Sequence, residues 1–330
     1  MIEIENLEKS YGPAVAVERL SLRIETGDAF GFIGPNGAGK TTTIKILATL
    51  LEPSAGTVLI NGYCAVEEPE KVREVLGYMP DHFGVYDGMR VWEYLDFFAA
   101  AYRKPRGQRL GLVADVLELT DMTPRRNDFV DALSVGLKQR LCLAKTLIHD
   151  PSVLVLDEPA SGLDPRARIE FRELMKELTR LGKTLFVSSH ILPELADFCN
   201  KIGIIEGGRL LEFGEVDEVT ARVESASYRV VNVRVIGEPA AAREILQACP
   251  QLANVREQNG RRRSDGTSQL QAEFSGTLDD MPALVDRLVA EKVRLVGFWE
   301  EKTDLEDVFM KITRGGVGGG AHDDGPGLMK

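Results

Sequence analysis

The sequence is poor in the residue types from which disulfide frameworks and zinc sites are built, with four cysteines and four histidines among 330 residues. It contains no Cys-x-x-Cys pair and no histidine cluster, so neither kind of framework is indicated. No apolar run reaches the roughly 18 to 20 residues that a membrane-spanning helix needs. The N-terminus lacks the basic and then apolar segments of an export signal. The chain is therefore expected in the cytoplasm, with reduced thiols, unless a partner holds it elsewhere.

Positive charge is also scarce, because 40 Lys and Arg residues stand against 51 Asp and Glu residues and the formal net charge is −11. Nucleic-acid binding needs a basic face for the phosphates, so no nucleic-acid partner is expected. The hydrophobic share of 44% is that of an ordinary soluble globular protein, and 330 residues leave room for two domains.

Residues 1–220 alternate short apolar runs with amphipathic helical stretches. Runs such as AFGFI, SVLVL and TLFVS are apolar at consecutive positions, which predicts an α/β fold with a parallel sheet covered by helices on both faces. The segments MIEIENLEKSY and AVERLSLRIETGD alternate with a period of two and predict an antiparallel edge subdomain. Asn61-Gly62 predicts a hairpin turn. Residues from about 88 to 150 have helical periodicity and form an insert within the α/β unit.

The pattern changes in residues 221–314. Strand-like and helical stretches follow in the order β-α-β-β-α-β, which predicts a small α+β domain of the ferredoxin-like kind. The basic stretch NGRRRSDG falls at a hairpin tip, where it either touches anionic lipid or a partner or is simply solvated. Thr303 and Glu306 predict a capping box for a last helix. Seven glycines in residues 315–330 predict a disordered tail.

The stretch GPNGAGKTT, residues 34–42, fits the pattern G-x-x-x-x-G-K-[ST] and is called the phosphate cradle below. It follows an apolar strand and opens a helix, which is the context that this motif requires. Glycines let the backbone N–H groups turn inward around a phosphate, and the start of the helix adds partial positive charge. Lys40 is expected to reach the outer phosphates and the Thr41 hydroxyl to bind Mg²⁺.

Two acidic residues and a histidine end the neighbouring apolar runs. Asp157 and Glu158 follow SVLVL, at the carboxyl edge of the predicted sheet, where open α/β sheets bind ligands. Asp157 is expected to hold Mg²⁺ and Glu158 to polarise an attacking water. His190 follows TLFVS and one further serine, where its ring could contact a terminal phosphate. The motifs together predict a nucleoside triphosphatase.

The stretch LSVG, residues 133–136, precedes a helix and is called the signature stretch below. Ser134 and Gly136 can turn a hydroxyl and backbone N–H groups toward an anion at the N-terminus of that helix. One chain has only one phosphate cradle. This second anion site therefore either binds another ligand or meets the phosphate held by another copy of the chain.

The order and spacing of these motifs make the chain similar to the nucleotide-binding ATPase subunits of ABC transporters, over residues 1 to about 215. The resemblance implies a P-loop NTPase cassette that forms a head-to-tail homodimer around two ATP molecules with Mg²⁺. Each ATP then lies between one cradle and the signature stretch of the other copy. The nucleotide-binding residues implied are Tyr11, Gly34, Pro35, Asn36, Gly37, Ala38, Gly39, Lys40, Thr41 and Thr42.

The other roles are also implied by resemblance. The signature residues Leu133, Ser134, Val135 and Gly136 contact ATP across the dimer; Thr41, Asp81 and Asp157 hold the metal; Glu158, His190 and Lys40 are catalytic. Asp164, in the turn SGLD, links the two sites. The likeness is greatest to bacterial drug-resistance exporters, whose transmembrane permease is a separate polypeptide. The chain is then peripheral on the inner face of the cell membrane.

Two positions depart from the family pattern. Asp81 stands where the family usually has Gln, and Leu137 stands where the signature often has Gln. A carboxylate at position 81 can still bind Mg²⁺, so we expect an altered Mg²⁺ dependence rather than loss of hydrolysis. Two alternatives stay open: a soluble ABC ATPase that acts on ribosomes or nucleic acid, and a regulator that does not hydrolyse, which Glu158 disfavours.

Overall fold

The computed structural model describes residues 1–82, 84, 86, 88–225, 229–257, 266–276 and 280–301. The chain divides into two units, Met1–Val219 and Thr220–Lys330. Each unit is described by itself.

The strands of the first unit form two sheets. They are β1 (Ile2–Tyr11), β2 (Ala14–Ile24), β3 (Ala29–Ile33), β4 (Ala55–Ile60), β5 (Tyr63–Cys64), β6 (Leu76–Met79), β7 (Val153–Leu156), β8 (Thr184–Ser189), β9 (Lys201–Glu206) and β10 (Arg209–Glu215). The helices up to residue 225 are α1 (Lys40–Leu47), α2 (Pro69–Val75), α3 (Val91–Ala101), α4 (Arg106–Leu119), α5 (Val135–Leu147), α6 (Pro165–Arg180), α7 (Leu192–Ala196) and α8 (Val216–Ser225).

The larger sheet has the strand order β10-β9-β3-β8-β7-β6, in which all neighbours are parallel except β10 and β9. Every residue of β3, β7 and β8 is buried, as the continuous apolar runs predicted. Ile33 pairs with Ser189, and Leu156 with Val187. The carboxyl ends of these three strands therefore meet at one edge of the sheet.

The smaller sheet is antiparallel, with the order β2-β1-β4-β5. Its β4–β5 hairpin closes with a two-residue loop, since Ile60 pairs with Tyr63. Asn61 and Gly62 both have positive φ, at 50° and 82°, as the two central residues of a type I′ turn require. The predicted edge subdomain and its turn are confirmed.

The helical insert contains α3, α4 and α5, within the range predicted from periodicity. A capping box starts α3, where the Arg90 backbone N–H donates to Glu93 Oε2 at 2.8 Å. Val91, Tyr94 and Leu95 are buried on one face of this helix. The insert is thus a packed part of the first unit.

One hydrophobic core holds the first unit's two sheets together. It joins residues of the antiparallel sheet such as Ile2, residues of the parallel sheet such as Phe30 and residues of α1 such as Ile44. Phe30 and Phe186 pack with their ring centroids 5.2 Å apart. This core fixes α1 against β3, and so fixes the loop between them.

The second unit contains β11 (Arg229–Ile236), α9 (Ala240–Gln247), β12 (Leu252–Glu257), β13 (Thr267–Phe274), α10 (Asp280–Ala290) and β14 (Leu295–Glu301). Its sheet has the order β12-β13-β11-β14, and all neighbours are antiparallel. This is the ferredoxin-like arrangement that the element order predicted. A separate core includes Val231, Val233, Leu246, Leu270 and Leu284.

Several predicted features lie outside the described residues. They are the arginines of the basic stretch, the capping box of Thr303 and Glu306 with its helix, and the glycine-rich residues 315–330. Within the described ranges, no helix combines the length and the apolar character that crossing a membrane demands.

Candidate functional site

The phosphate cradle joins β3 to α1 and is closely packed from behind. A Cβ atom at Gly34 would lie 2.4 Å from the Ile205 carbonyl oxygen, and one at Gly39 would lie 2.4 Å from that of Ala16. Gly37 and Gly39 also have positive φ, at 83° and 106°, where side chains are strained. Gly39 caps α1 without a side-chain hydrogen bond, so the first N–H groups of α1 are available to an anion.

Lys40 is buried at the start of α1, and its ammonium group points back into the cradle. Its Nζ donates to the carbonyl oxygens of Gly34 at 2.6 Å and Pro35 at 3.3 Å. The same nitrogen lies 3.4 Å from Glu158 Oε1. The one cation of the cradle is thus held by backbone oxygens next to an acidic side chain.

Asp157 follows β7 and is 1% exposed. Its Oδ1 accepts a hydrogen bond from Ser188 Oγ at 2.6 Å, and the Thr41 side chain also hydrogen-bonds its carboxylate. Burial raises the pKa of Asp157 above its usual value, and the negative charges of Asp81 and Glu158 add to this, while the two hydrogen bonds lower it. A buried carboxylate with oxygen neighbours is a suitable environment for a hard cation.

Glu158 lies between two nitrogen-bearing side chains. Its Oε2 is 2.9 Å from His190 Nδ1, and its Oε1 faces Lys40. The residue has φ of 46°, which is unusual for a side chain with this bulk. Its backbone N–H donates to Ser188 Oγ at 2.9 Å, which holds this conformation. The carboxylate therefore has a fixed position beside the cradle.

The signature stretch caps α5, as predicted. Ser134 is the N-cap residue, and its Oγ accepts from the Leu137 backbone N–H at 3.4 Å. Val135, the first residue of the helix, is 63% exposed. A Cβ atom at Gly136 would lie 3.3 Å from Leu163 Cδ2, so this glycine permits close packing against the SGLD turn (residues 161–164).

A cavity of about 450 Å³ opens beside the signature stretch. Its lining includes Ser134, Gly136 and Asp164. Gln139 Nε2 donates to the Ser161 carbonyl oxygen at 2.8 Å and so ties α5 to the SGLD turn. Asp164 itself caps α6, where its Oδ1 accepts from the Ala167 N–H at 2.8 Å. The signature stretch and the SGLD turn thus form one surface.

That surface is separate from the phosphate cradle. Both stretches are fully described, and no hydrogen bond or ion pair recorded for them joins residues 133–136 to residues 34–42. Of the two stretches, the cradle contains Lys40, whose ammonium group contacts Glu158.

Comparison with known proteins assigns the family. Residues 17–161 match the model of the ABC transporter family. The Nod factor export ATP-binding protein I of Burkholderia orbicola is 34% identical over 313 residues, which are 94% of this chain and 96% of that protein. The chain belongs to the ABC transporter ATP-binding subunits. Such a subunit binds ATP and hydrolyses it, so this chain is an ATPase.

Further similarities concern the transporter type and the fold. The linearmycin resistance ATP-binding protein LnrL of Bacillus subtilis is 29% identical to this chain, and the match covers 95% of this chain and 98% of LnrL. The names of these two relatives refer to resistance and to export. The structure of cbiO1 from Clostridium perfringens, part of an ABC transporter complex, has 27% identity and a TM-score of 0.62 over 67% of this chain and 90% of that one. The covered 67% of this chain is close in length to the first unit, Met1–Val219.

Tyr11, predicted to stack on adenine, ends β1 and is half exposed. It pairs with Ala14 at the start of β2, and β2 passes behind the cradle at Ala16, next to Gly39. Lys9 Nζ lies 5.4 Å from the centre of the Tyr11 ring. The tyrosine is thus near the cradle of the cassette and accessible, and its contact with adenine stays a prediction.

Asp81 lies two residues after β6. Its Oδ2 is 2.8 Å from His82 Nδ1, and its charge acts on the buried Asp157 carboxylate. The Asp157 backbone N–H donates to the Met79 carbonyl oxygen at 2.9 Å, which keeps the two chain segments together. The cassette therefore brings Asp81 to the same sheet edge as Asp157, in keeping with the position that the family resemblance implied.

Ser188 is a site residue that the motif analysis missed. Its single hydroxyl donates to Asp157 and accepts the Glu158 N–H, so it sets the positions of both acidic residues. A serine near the end of a buried strand was the available signal, because a buried hydroxyl needs a partner. The Asp157 partner could not be read from the sequence, since it lies 31 residues away.

The oxygen groups at this edge fit a magnesium ion. The Thr41 hydroxyl and the Asp157 carboxylate are in contact, and Mg²⁺ in nucleotide sites is held by one or two such groups together with phosphate and water oxygens. In the described residues no group of three or more His, Cys, Asp or Glu side chains converges as a metal site.

Proposed function

We propose that two copies of the chain pack head to tail, with each ATP between the cradle of one and the signature stretch of the other. The support is that the cradle with Lys40 and the signature stretch with Ser134 lie apart within one chain. The exposed Val135 and the open cavity at Ser134 leave the start of α5 accessible to a phosphate from outside the chain. A two-fold arrangement pairs each cradle with a signature stretch.

In this dimer the residues divide the work of hydrolysis. Lys40 exchanges its backbone partners for the outer phosphate oxygens, and Glu158 accepts a proton from the attacking water. The Nδ1 contact to Glu158 orients the His190 ring and leaves Nε2 to a phosphate oxygen. Thr41, Asp157 and Asp81 are the residues that would hold Mg²⁺, and the ion would neutralise phosphate charge. Ser134 of the opposite copy completes the set of charge-stabilising donors.

We also propose that the cassette drives a separate transmembrane permease, from the cytoplasmic face of the membrane, and in the direction of export. The printed names of the relatives, which include Nod factor export and linearmycin resistance, support this transport class. The helical insert offers a surface for the permease. Tyr86, Phe97 and Phe98 cluster there with ring centroids 5.2 to 6.4 Å apart, and the first two are about half exposed.

The composite site is tested by mixing two inactive variants. Lys40→Ala removes the cradle's cation, and Ser134→Glu places a negative charge at the signature stretch. In a head-to-tail heterodimer one site carries both defects and the other carries none. Mixing equal amounts should therefore restore up to about a quarter of the wild-type sites.

A chain carrying both substitutions is the matched control, because none of its sites is intact. If the mixture hydrolysed ATP no faster than the separate variants, the shared site would be contradicted. The permease is tested separately, by purifying the tagged chain from membranes and from ribosomes. Recovery with ribosomes and without a multi-span membrane protein would favour the soluble alternative.

A further inference from the structure

A chain of polar contacts runs from the SGLD turn to His190 through Arg168 and Glu194. Arg168, on the first turn of α6, donates from Nη2 to the Leu163 carbonyl oxygen at 3.4 Å. Its Nη1 lies 3.0 Å from Glu194 Oε1 on α7. One guanidinium thus contacts both the backbone next to Asp164 and a carboxylate on another helix.

Glu194 continues the contacts to the end of β8. Its Oε2 accepts a hydrogen bond from Ser189 Oγ at 3.3 Å. The same Ser189 Oγ accepts a hydrogen bond from the Ile191 backbone N–H at 3.0 Å. Ser189 and Ile191 are the residues on either side of His190. The contacts therefore hold the backbone on both sides of the histidine that touches Glu158.

The environment of Glu194 makes its pairing important. The side chain is 14% exposed, and burial raises the pKa of its carboxyl group while Arg168 lowers it. Removing one partner of a shielded ion pair leaves the other with an unbalanced charge. Loss of Arg168 therefore displaces Glu194, and with it the hydroxyl of Ser189.

We propose that Arg168 and Glu194 are positioning residues that transmit the position of the SGLD turn to His190 of the same chain. The inference rests on the proposed function, in which the SGLD turn faces the opposite copy and His190 contacts the phosphate. Dimer closure that moves the turn shifts Leu163, and Arg168 carries the shift to Glu194 and the His190 backbone. The pair makes one site responsive to the arrival of the other copy.

A neighbouring ion pair serves as an internal comparison. Arg172 and Asp197 also join α6 to the end of α7. No hydrogen bond of the described residues connects either one to Ser189, His190 or Leu163. The Arg172–Asp197 ion pair thus joins the two helices in the same way, but it lacks the hydrogen bonds that lead from Arg168 and Glu194 to Ser189.

The test is steady-state ATP hydrolysis by the purified full chain. Arg168→Gln and Glu194→Gln should each lower kcat about tenfold and leave KM for ATP within about twofold, because the cradle is untouched. Arg168→Lys keeps the charge pair and should retain most of kcat. Arg172→Gln is the matched control and should hydrolyse ATP like the wild type.

The deciding readout is the double variant with His190→Ala. If Arg168 acts through His190, then adding Arg168→Gln to His190→Ala lowers kcat no further. Multiplying losses would overturn the proposal, as would an Arg168→Gln variant that behaves like Arg172→Gln. Glu194→Gln provides the same test if Arg168→Gln does not fold. Full activity of His190→Ala alone would instead refute the proposed role of His190.

Discussion

His190 and Glu158 are in direct contact, with Nδ1 and Oε2 separated by 2.9 Å. The contact joins residues from the ends of two neighbouring parallel strands, β7 and β8. Lys40 occupies the other side of the same carboxylate. Glu158 is therefore held in one orientation by groups that the proposed mechanism brings to the phosphate.

Glu158→Gln should bind ATP and hydrolyse it about a hundredfold more slowly or worse, because the amide keeps the shape and cannot accept a proton. The dimer should then persist with ATP bound. Light scattering with ATP and a phosphate-release assay measure the two effects. Glu173→Gln, an exposed substitution on α6, is the control. Near-normal turnover of Glu158→Gln would remove this residue from the role of base.

Asp157→Asn should stabilise the protein near neutral pH while it impairs Mg²⁺-dependent hydrolysis. Burial raises the folded-state pKa of Asp157 above the unfolded value of 3.8, so keeping it charged costs stability at neutral pH. That cost disappears as the pH falls below the unfolded value. Urea denaturation without Mg²⁺ at several pH values should show a gain for the variant that shrinks with acid.

Asp28→Asn provides a control of opposite sign. Burial raises the pKa of Asp28, but hydrogen bonds from Lys201 and Asn200 outweigh this, and its pKa is lowered overall. Its charge stabilises the fold at neutral pH, so the variant should be less stable there, with a difference that closes in acid. If both substitutions changed the free energy of unfolding in the same direction at neutral pH, the opposite pKa shifts of Asp157 and Asp28 would be contradicted.

Asp81→Asn should keep hydrolysis and require more Mg²⁺ for half-maximal activity. The substitution removes a negative oxygen from the edge where Asp157 and Thr41 lie, and so weakens attraction for the cation. A magnesium titration of the ATPase rate measures the shift. Glu206→Gln, on β9, tests for a general effect of lost charge. Complete loss of turnover in Asp81→Asn would show that the carboxylate is indispensable.

His149 should make the protein acid-sensitive. Burial lowers its pKa from 6.5 to about 4, although the hydrogen bond that its Nε2 donates to the Leu76 carbonyl oxygen at 3.1 Å opposes part of this shift. Because the unfolded chain binds the proton first, stability falls as the pH drops from 6.5 to 4, by about 3 kcal/mol in total. His149→Gln should flatten the pH profile of unfolding.

The control for that profile is His82→Gln, since the His82 side chain is 93% exposed. Its loss should leave the slope between pH 6.5 and 4 as steep as in the wild type. The Tyr102 ring stacks on His149 with centroids 3.9 Å apart. If both variants retained the slope, the acid sensitivity would have to come from other groups.

The local motifs of the site could be predicted from the sequence because their chemistry is confined to a few consecutive residues. The glycines, Lys40 and Thr41 fall within nine positions, where backbone geometry fixes the spacing. Ser188 and Arg168 could not be assigned in this way. Their functions depend on partners 31 and 26 residues away, and those distances close only when β7 packs beside β8 and α6 beside α7.

The second unit shows the same division. The order of its elements was readable from periodicity, and the ferredoxin-like strand order follows from it. The polar pairing inside its sheet could not be predicted from the sequence. Gln269 and Asn232 are both buried, and Gln269 Nε2 donates a hydrogen bond to Asn232 Oδ1 at 3.0 Å. A strand pattern predicts which face a side chain takes, and it does not name the partner on the next strand.

The ammonium group of Lys40 already has close oxygen neighbours within its own loop. In the proposed mechanism an incoming phosphate replaces these neighbours, and the net gain in free energy is smaller than a lysine without such contacts would give. Release of spent nucleotide is eased by the same amount, because the loop recovers its internal contacts as the product leaves. For a subunit that has to release its nucleotide in every cycle, moderate affinity for the nucleotide favours rapid turnover.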